Sequence, residues 1–95
     1  MRFEIEKATD NKHKFVGVFT DDGKETRVPF GAKGMSDYTL HKDPARRRLY
    51  LMRHRARENW NSPKTAGSLS RWILWGDSTS LQTNLRNFKQ RFSLR

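Results

Sequence analysis

Six arginines fall within twelve residues, Arg46, Arg47, Arg48, Arg53, Arg55 and Arg57, with Tyr50 and His54 between them. A guanidinium is permanently charged and presents a planar fork of donors that fits phosphate or carboxylate oxygens. The chemistry this cluster supports is the holding of a polyanion, not the making or breaking of bonds. At a helical rise of about 1.5 Å per residue the patch extends over roughly 18 Å. Duplex DNA carries one charge per about 1.7 Å of axis, so several phosphates lie within that reach. Tyr50 has two readings, a ring stacked on an exposed base or a ring packed beside the core with its hydroxyl in water. Nothing in the cluster forms a base-reading code, so the expectation is backbone contact with little sequence preference.

Reaction chemistry finds less to work with. His13, His41 and His54 lack metal-ligand spacings such as HExxH, and the chain has no cysteine, which excludes disulfides, thiolate chemistry and Cys-based zinc sites. A metal-dependent nuclease would have to gather Glu4, Glu6, Asp10, Asp21 and Asp22, which alternate along strands or sit in turns, where acids serve solubility and turn formation. Gly31 and Gly34 match neither phosphate-cradling glycine motif, although their loop brings Lys33 forward as one more cation. The sequence therefore predicts a non-enzymatic protein with no cofactor and no metal.

The 95 residues allow one small domain, and Leu, Ile, Val and Phe make up only 19 of them. Three Trp and two Tyr compensate, because each buries a large area. Charge is segregated. Residues 1–42 carry a net +1 and residues 43–95 a net +9, where Arg replaces Lys as the main cation. A surface serving solubility alone needs no such segregation. The opening MRFEIEKATDNK has no apolar secretion segment, and the longest apolar run, Trp72-Ile73-Leu74-Trp75, is too short to span a bilayer, so the expectation is no membrane partner.

The elements that must carry these residues read as α+β. Phe3 and Ile5 alternate with Glu4 and Glu6, Phe15 to Phe19 is apolar on both parities, and Thr26, Val28 and Phe30 alternate with polar residues and Pro29. This predicts a three-stranded antiparallel meander over about 2–8, 14–20 and 25–30. Asp21-Asp22-Gly23 should close its second hairpin, and Pro29 marks an edge strand. Residues 31–42 read as a loop. Asp43-Pro44 then caps a helix over about 44–59, whose stripe of Ala45, Leu49, Met52 and Ala56 is expected to face the core, leaving Arg47, Tyr50 and His54 on the cationic face. Two more helices are expected over about 64–75 and 79–92. The predicted core is Phe15, Val18, Leu49, Met52, Leu69, Trp72, Leu85 and Phe88. The candidate polyanion-binding residues are Arg46, Arg47, Tyr50, Arg53, His54 and Arg57, with Lys33 and, on the third helix, Arg86 and Lys89. The sheet itself is too nearly neutral to offer a phosphate-binding surface.

From Gly31 to Phe92 the chain resembles a family of small uncharacterised basic proteins of large double-stranded DNA viruses of algae and protists. The blocks that carry the likeness are Ser36-Asp37-Tyr38, Lys42-Asp43-Pro44, Arg53-His54, Arg57-Glu58-Asn59-Trp60, Thr65-Ala66-Gly67 and Ser70-Arg71-Trp72. The resemblance implies no catalytic residue. It implies a setting, the virion and the cytoplasm or nucleus of an infected eukaryotic cell. Within it two roles are expected: binding of nucleic acid, double-stranded DNA foremost, in a genome-associated or packaging role, or a minor capsid protein using the same arginines against acidic surfaces of larger coat proteins and other virion proteins.

Overall fold

A computed structural model describes residues 1–95. Strands β1 (Arg2–Lys7), β2 (His13–Asp21) and β3 (Lys24–Ala32) form one antiparallel sheet in the order β1-β2-β3. The register pairs Phe3 with Phe19, and Phe15 with Phe30, so the phenylalanines share one face. Asp22 and Gly23 both have positive φ, 50° and 78°, the two-residue turn whose twist matches a hairpin. Pro29 lies opposite Val16 on the edge strand, as its missing donor requires. On the other face Arg27 donates to Glu6 at 2.6 Å, across β2. No helix is long and apolar enough to cross a membrane.

Four α-helices follow: α1 (Tyr38–His41), α2 (Pro44–Arg55), α3 (Ala66–Leu69) and α4 (Leu81–Arg91), with a π-helical turn, Ser70–Leu74, continuing directly from α3. The chain is thus an α+β fold, a meander followed by helices. The core is one cluster of Phe3, Phe19, Phe30, Leu69, Ile73, Leu74 and Phe88. Gly17 is what lets α3 onto the sheet, since a Cβ there would lie 2.8 Å from the Leu69 side chain. Asn84 is buried, yet every polar atom of its amide is used: Nδ2 donates to the carbonyls of Ile73 and Ser78, and Oδ1 accepts from Ser78 N–H. Those bonds fasten the 75–80 connection to α4.

Several expectations need correction. Residues 38–41 are not loop but one short helix, because the Asp37 carboxylate accepts from Thr39 N–H and hydroxyl and holds Lys14 Nζ at 2.6 Å, tying α1 to the sheet. Helix α2 stops at Arg55 and not at 59. The Glu58 carboxylate bonds the His54 ring and the Trp60 indole N–H instead of continuing the helix. The second expected helix, 64–75, opens as α only from its Thr65 cap and widens into the π turn, closed by Trp75 N–H on the Ser70 carbonyl at 2.9 Å. The last expected helix begins at Leu81 and not at 79, with the Ser80 hydroxyl accepting from Thr83 N–H as its cap.

The largest correction concerns α2. Leu49 and Met52, expected in the core, are 50% and 67% exposed, and α2 has no buried residue at all. The helix is rolled half a turn from its expected orientation, because the sheet's phenylalanines are already covered by α3, the π turn and α4. Replacing Leu49 by Ala is therefore expected to change stability by less than about 1 kcal/mol, whereas Leu69→Ala costs about 2–5 kcal/mol. Urea unfolding of the two variants checks the contrast.

Candidate polyanion interface

Helix α2 is held to the body by polar and aromatic groups, which is why a purely apolar wheel misplaces it. The rings of His54, Tyr50 and Trp75 form a continuous stack, with centroids 4.0 Å apart at each step and planes inclined by 21° and 3°. Two near-parallel neighbours at that spacing occupy both faces of Tyr50. No face is left for a nucleobase, so of the two readings of Tyr50 the packed ring is the one the geometry allows. Burial pushes its phenol pKa up to about 12, Glu58 adds to the shift, and Ser70 and Arg71 oppose it.

Arg47 turns inward beside this stack. Its Nε donates to the carbonyls of Trp75 and Gly76, at 3.2 and 2.9 Å, and its Nη2 reaches Asp77 at 2.8 Å. These carbonyls end the π turn and lack helical partners, so the guanidinium acts as their cap. Arg47 is thus engaged within the molecule. His54 is likewise occupied, its Nδ1 2.9 Å from Glu58. His41 accepts Asp43 N–H on Nδ1, which places the proton of the neutral ring on Nε2, beside Trp75. No group of three or more His, Asp or Glu converges to hold a metal ion.

The remaining arginines of the segment point the other way. Arg46, Arg48, Arg53, Arg55 and Arg57 are all exposed. The six ion pairs of the structure, at a 4 Å limit, use His13, Lys14, Arg27, Arg47 and His54, so none of the five has a carboxylate partner. At about 100° per residue, Ala45, Leu49, Met52 and Ala56 form an outward ridge opposite Arg47, Tyr50 and His54. Arg46 and Arg53 then lie about 70–90° to one side of it, and Arg48 and Arg55 about 70–90° to the other. Arg48 and Arg55, part of the arginine cluster in the sequence but not among its candidate binding residues, are exposed like Arg46, Arg53 and Arg57. Their spacing by one heptad places both on one border of the ridge.

Along the Arg46–Arg53 border runs a cleft of about 620 Å³ between α2 and the body, lined among others by Leu49, Met35, Gly67 and Leu74. Lys33 lies two residues from Met35, exposed, in the connection after β3. Arg86 and Lys89 belong to α4, which packs on the π turn, and are not part of the α2 surface. A second cationic feature emerges only in three dimensions. The guanidinium carbons of Arg71 and Arg91 lie 4.1 and 3.8 Å from the centroid of the Trp72 indole, and Arg71 also faces Trp60 at 5.1 Å. Burial, followed by the charge of Arg47, lowers the pKa of Arg71 from its ordinary value.

Compared with known proteins, the model of a family of unknown function (DUF5754) matches residues 3–54, which run from β1 through most of α2. No curated protein and no solved structure matches the chain.

Two outcomes are expected of this junction. Trp75→Ala removes the ring on which Tyr50 rests, so the amides of 44–55 lose hydrogen-exchange protection while those of the sheet keep theirs, at a stability cost of about 2–4 kcal/mol. The raised Tyr50 pKa gives a stabilising contribution that is complete below the ordinary phenol range near pH 10 and is lost as pH rises through about 12. Tyr50→Phe, with nothing to ionise, should lose less stability over that interval in urea titrations.

Proposed function

We propose, from the premise that the chain belongs to DUF5754, a family of unknown function and so one that supplies no activity to inherit, that it is a non-enzymatic nucleic-acid-binding protein. It uses the exposed arginines of α2 and of the turn that follows it against the phosphate backbone, with little sequence preference. The observation that carries this reading is that Arg46, Arg48, Arg53, Arg55 and Arg57 are exposed and have no acidic partner of their own. Unpaired guanidinium groups this dense repel one another and gain most from an anionic partner that releases bound counterions as they dock. With the resemblance of residues 31–92 to proteins of large double-stranded DNA viruses, the role fits a genome-associated or packaging protein of a virion.

A second reading has one observation in its favour. Leu49 and Met52 are large apolar side chains in the middle of the cationic face, and an acidic coat-protein surface would cover them as well as the arginines. Such a minor capsid protein would fail to bind DNA at about 100 mM salt and would co-purify with capsid shells emptied of genome.

Mobility shift across a salt series separates the two. If about four arginines each displace a counterion, log affinity for a DNA duplex falls against log salt with a slope of roughly −4. Arg46→Glu with Arg53→Glu should abolish the shift at about 100 mM salt, while the charge-matched pair Lys7→Glu with Lys24→Glu, exposed on the sheet, should weaken it only modestly.

A further inference from the structure

The exposed side of α2 carries a pattern that backbone binding alone leaves unused. Its arginines do not form one patch. They form two rows, Arg46 with Arg53 and Arg48 with Arg55, on opposite borders of a ridge made of Ala45, Leu49, Met52 and Ala56. A single line of phosphates, as in an extended single strand, can engage one row and leaves the other in water. A second copy of this chain is the wrong partner, since it would bring two like-charged rows against two more. An apolar protein groove would gain little from a ridge with only two large side chains and would have to neutralise four desolvated guanidinium groups.

A surface with two parallel rails of negative charge and an uncharged floor between them fits both features. The major groove of B-form DNA is such a surface. It is about 12 Å wide and admits a helix of about 10–12 Å with its side chains, with phosphates on both rims and thymine methyls on its floor. The A-form groove of duplex RNA is deep and narrow and excludes a helix. Helix α2 is anchored on its inward side through Arg47, Tyr50 and His54, has no buried residue, and is separated from the body along its Arg46–Arg53 border by the 620 Å³ cleft, which leaves that row open to a phosphate strand. We infer that α2 enters the major groove of B-form DNA, its Ala45–Leu49–Met52–Ala56 ridge toward the base-pair edges and its two arginine rows on the phosphates of the two strands. The inference rests on the nucleic-acid reading above and adds to it the form of the duplex and the groove. No side chain of the ridge donates or accepts a hydrogen bond, so base discrimination is confined to apolar contact with thymine methyls.

The test uses the full chain with probes of equal length: a DNA duplex, an RNA duplex, single-stranded DNA, and a DNA duplex whose cytosines carry glucosylated hydroxymethyl groups that fill the major groove. The DNA duplex is expected to bind at least about tenfold tighter than the RNA duplex and the single strand, and glucosylation to remove most of that preference. Ala45→Trp adds bulk to the exposed ridge without changing charge. It should weaken duplex DNA binding roughly tenfold and leave single-strand binding unchanged, with circular dichroism confirming the fold. Equal, salt-sensitive affinity for all four probes, or a DNA preference indifferent to glucosylation, would overturn the groove assignment and leave backbone binding standing. Failure to bind any probe at about 100 mM salt would overturn both, and capture of a strongly acidic protein would then reassign the face to protein contact.

Discussion

Everything distinctive about the outward face of this protein depends on how one residue, Trp75, receives α2. Its ring takes the flat face of Tyr50 and lies beside His41, while its carbonyl accepts from both Arg47 and Arg71. Helix, connecting turn and body meet at that one point. The π turn makes this geometry available, because the wider loop from Ser70 to Trp75 leaves carbonyls at its end that no following helical residue can reach. Gly76 adds to the constraint, as a Cβ there would fall 2.4 Å from the Trp72 carbonyl and 2.6 Å from Asn84.

The sheet was legible in the residues because each of its signals is local. Alternation of Phe3 and Ile5 with glutamates, the Asp22-Gly23 turn and the edge proline each act within a few residues of themselves, and strand pairing follows from them. The same holds for the Asp43-Pro44 start of α2, where the carboxylate accepts from Ala45 and Arg46 N–H. Phe15, Val18, Leu69 and Phe88 are buried or packed against the core as their pattern implies.

The roll of α2 was not legible, for a physical reason. Its apolar stripe and its arginine-tyrosine-histidine stripe are close to opposite one another, so a hydrophobic wheel gives an axis but assigns the wrong end of it to the core. The choice is made by tertiary partners far along the chain: an indole for Tyr50, two free carbonyls and Asp77 for Arg47, and Glu58 for His54. A hydrogen-bonded guanidinium and a stacked phenol compete well with two aliphatic side chains for a half-buried seat when the principal core is already filled by phenylalanine. The two flanking arginine rows follow from the wheel itself; that the ridge between them faces solvent follows only from that orientation.

The acids of the helical half are all drawn into the structure: Asp43 caps α2, Glu58 holds His54 and Trp60, and Asp77 holds Arg47. Residues 1–42, which hold the sheet, carry only a net +1, so nearly all of the net positive charge belongs to the helical half. Such a body experiences a torque in the field of any polyanion and begins to turn before it touches. Long-range steering of this kind raises association rates by about 10- to 1,000-fold. Charge segregated in this way orients a molecule in the field of a polyanion independently of any contact between them.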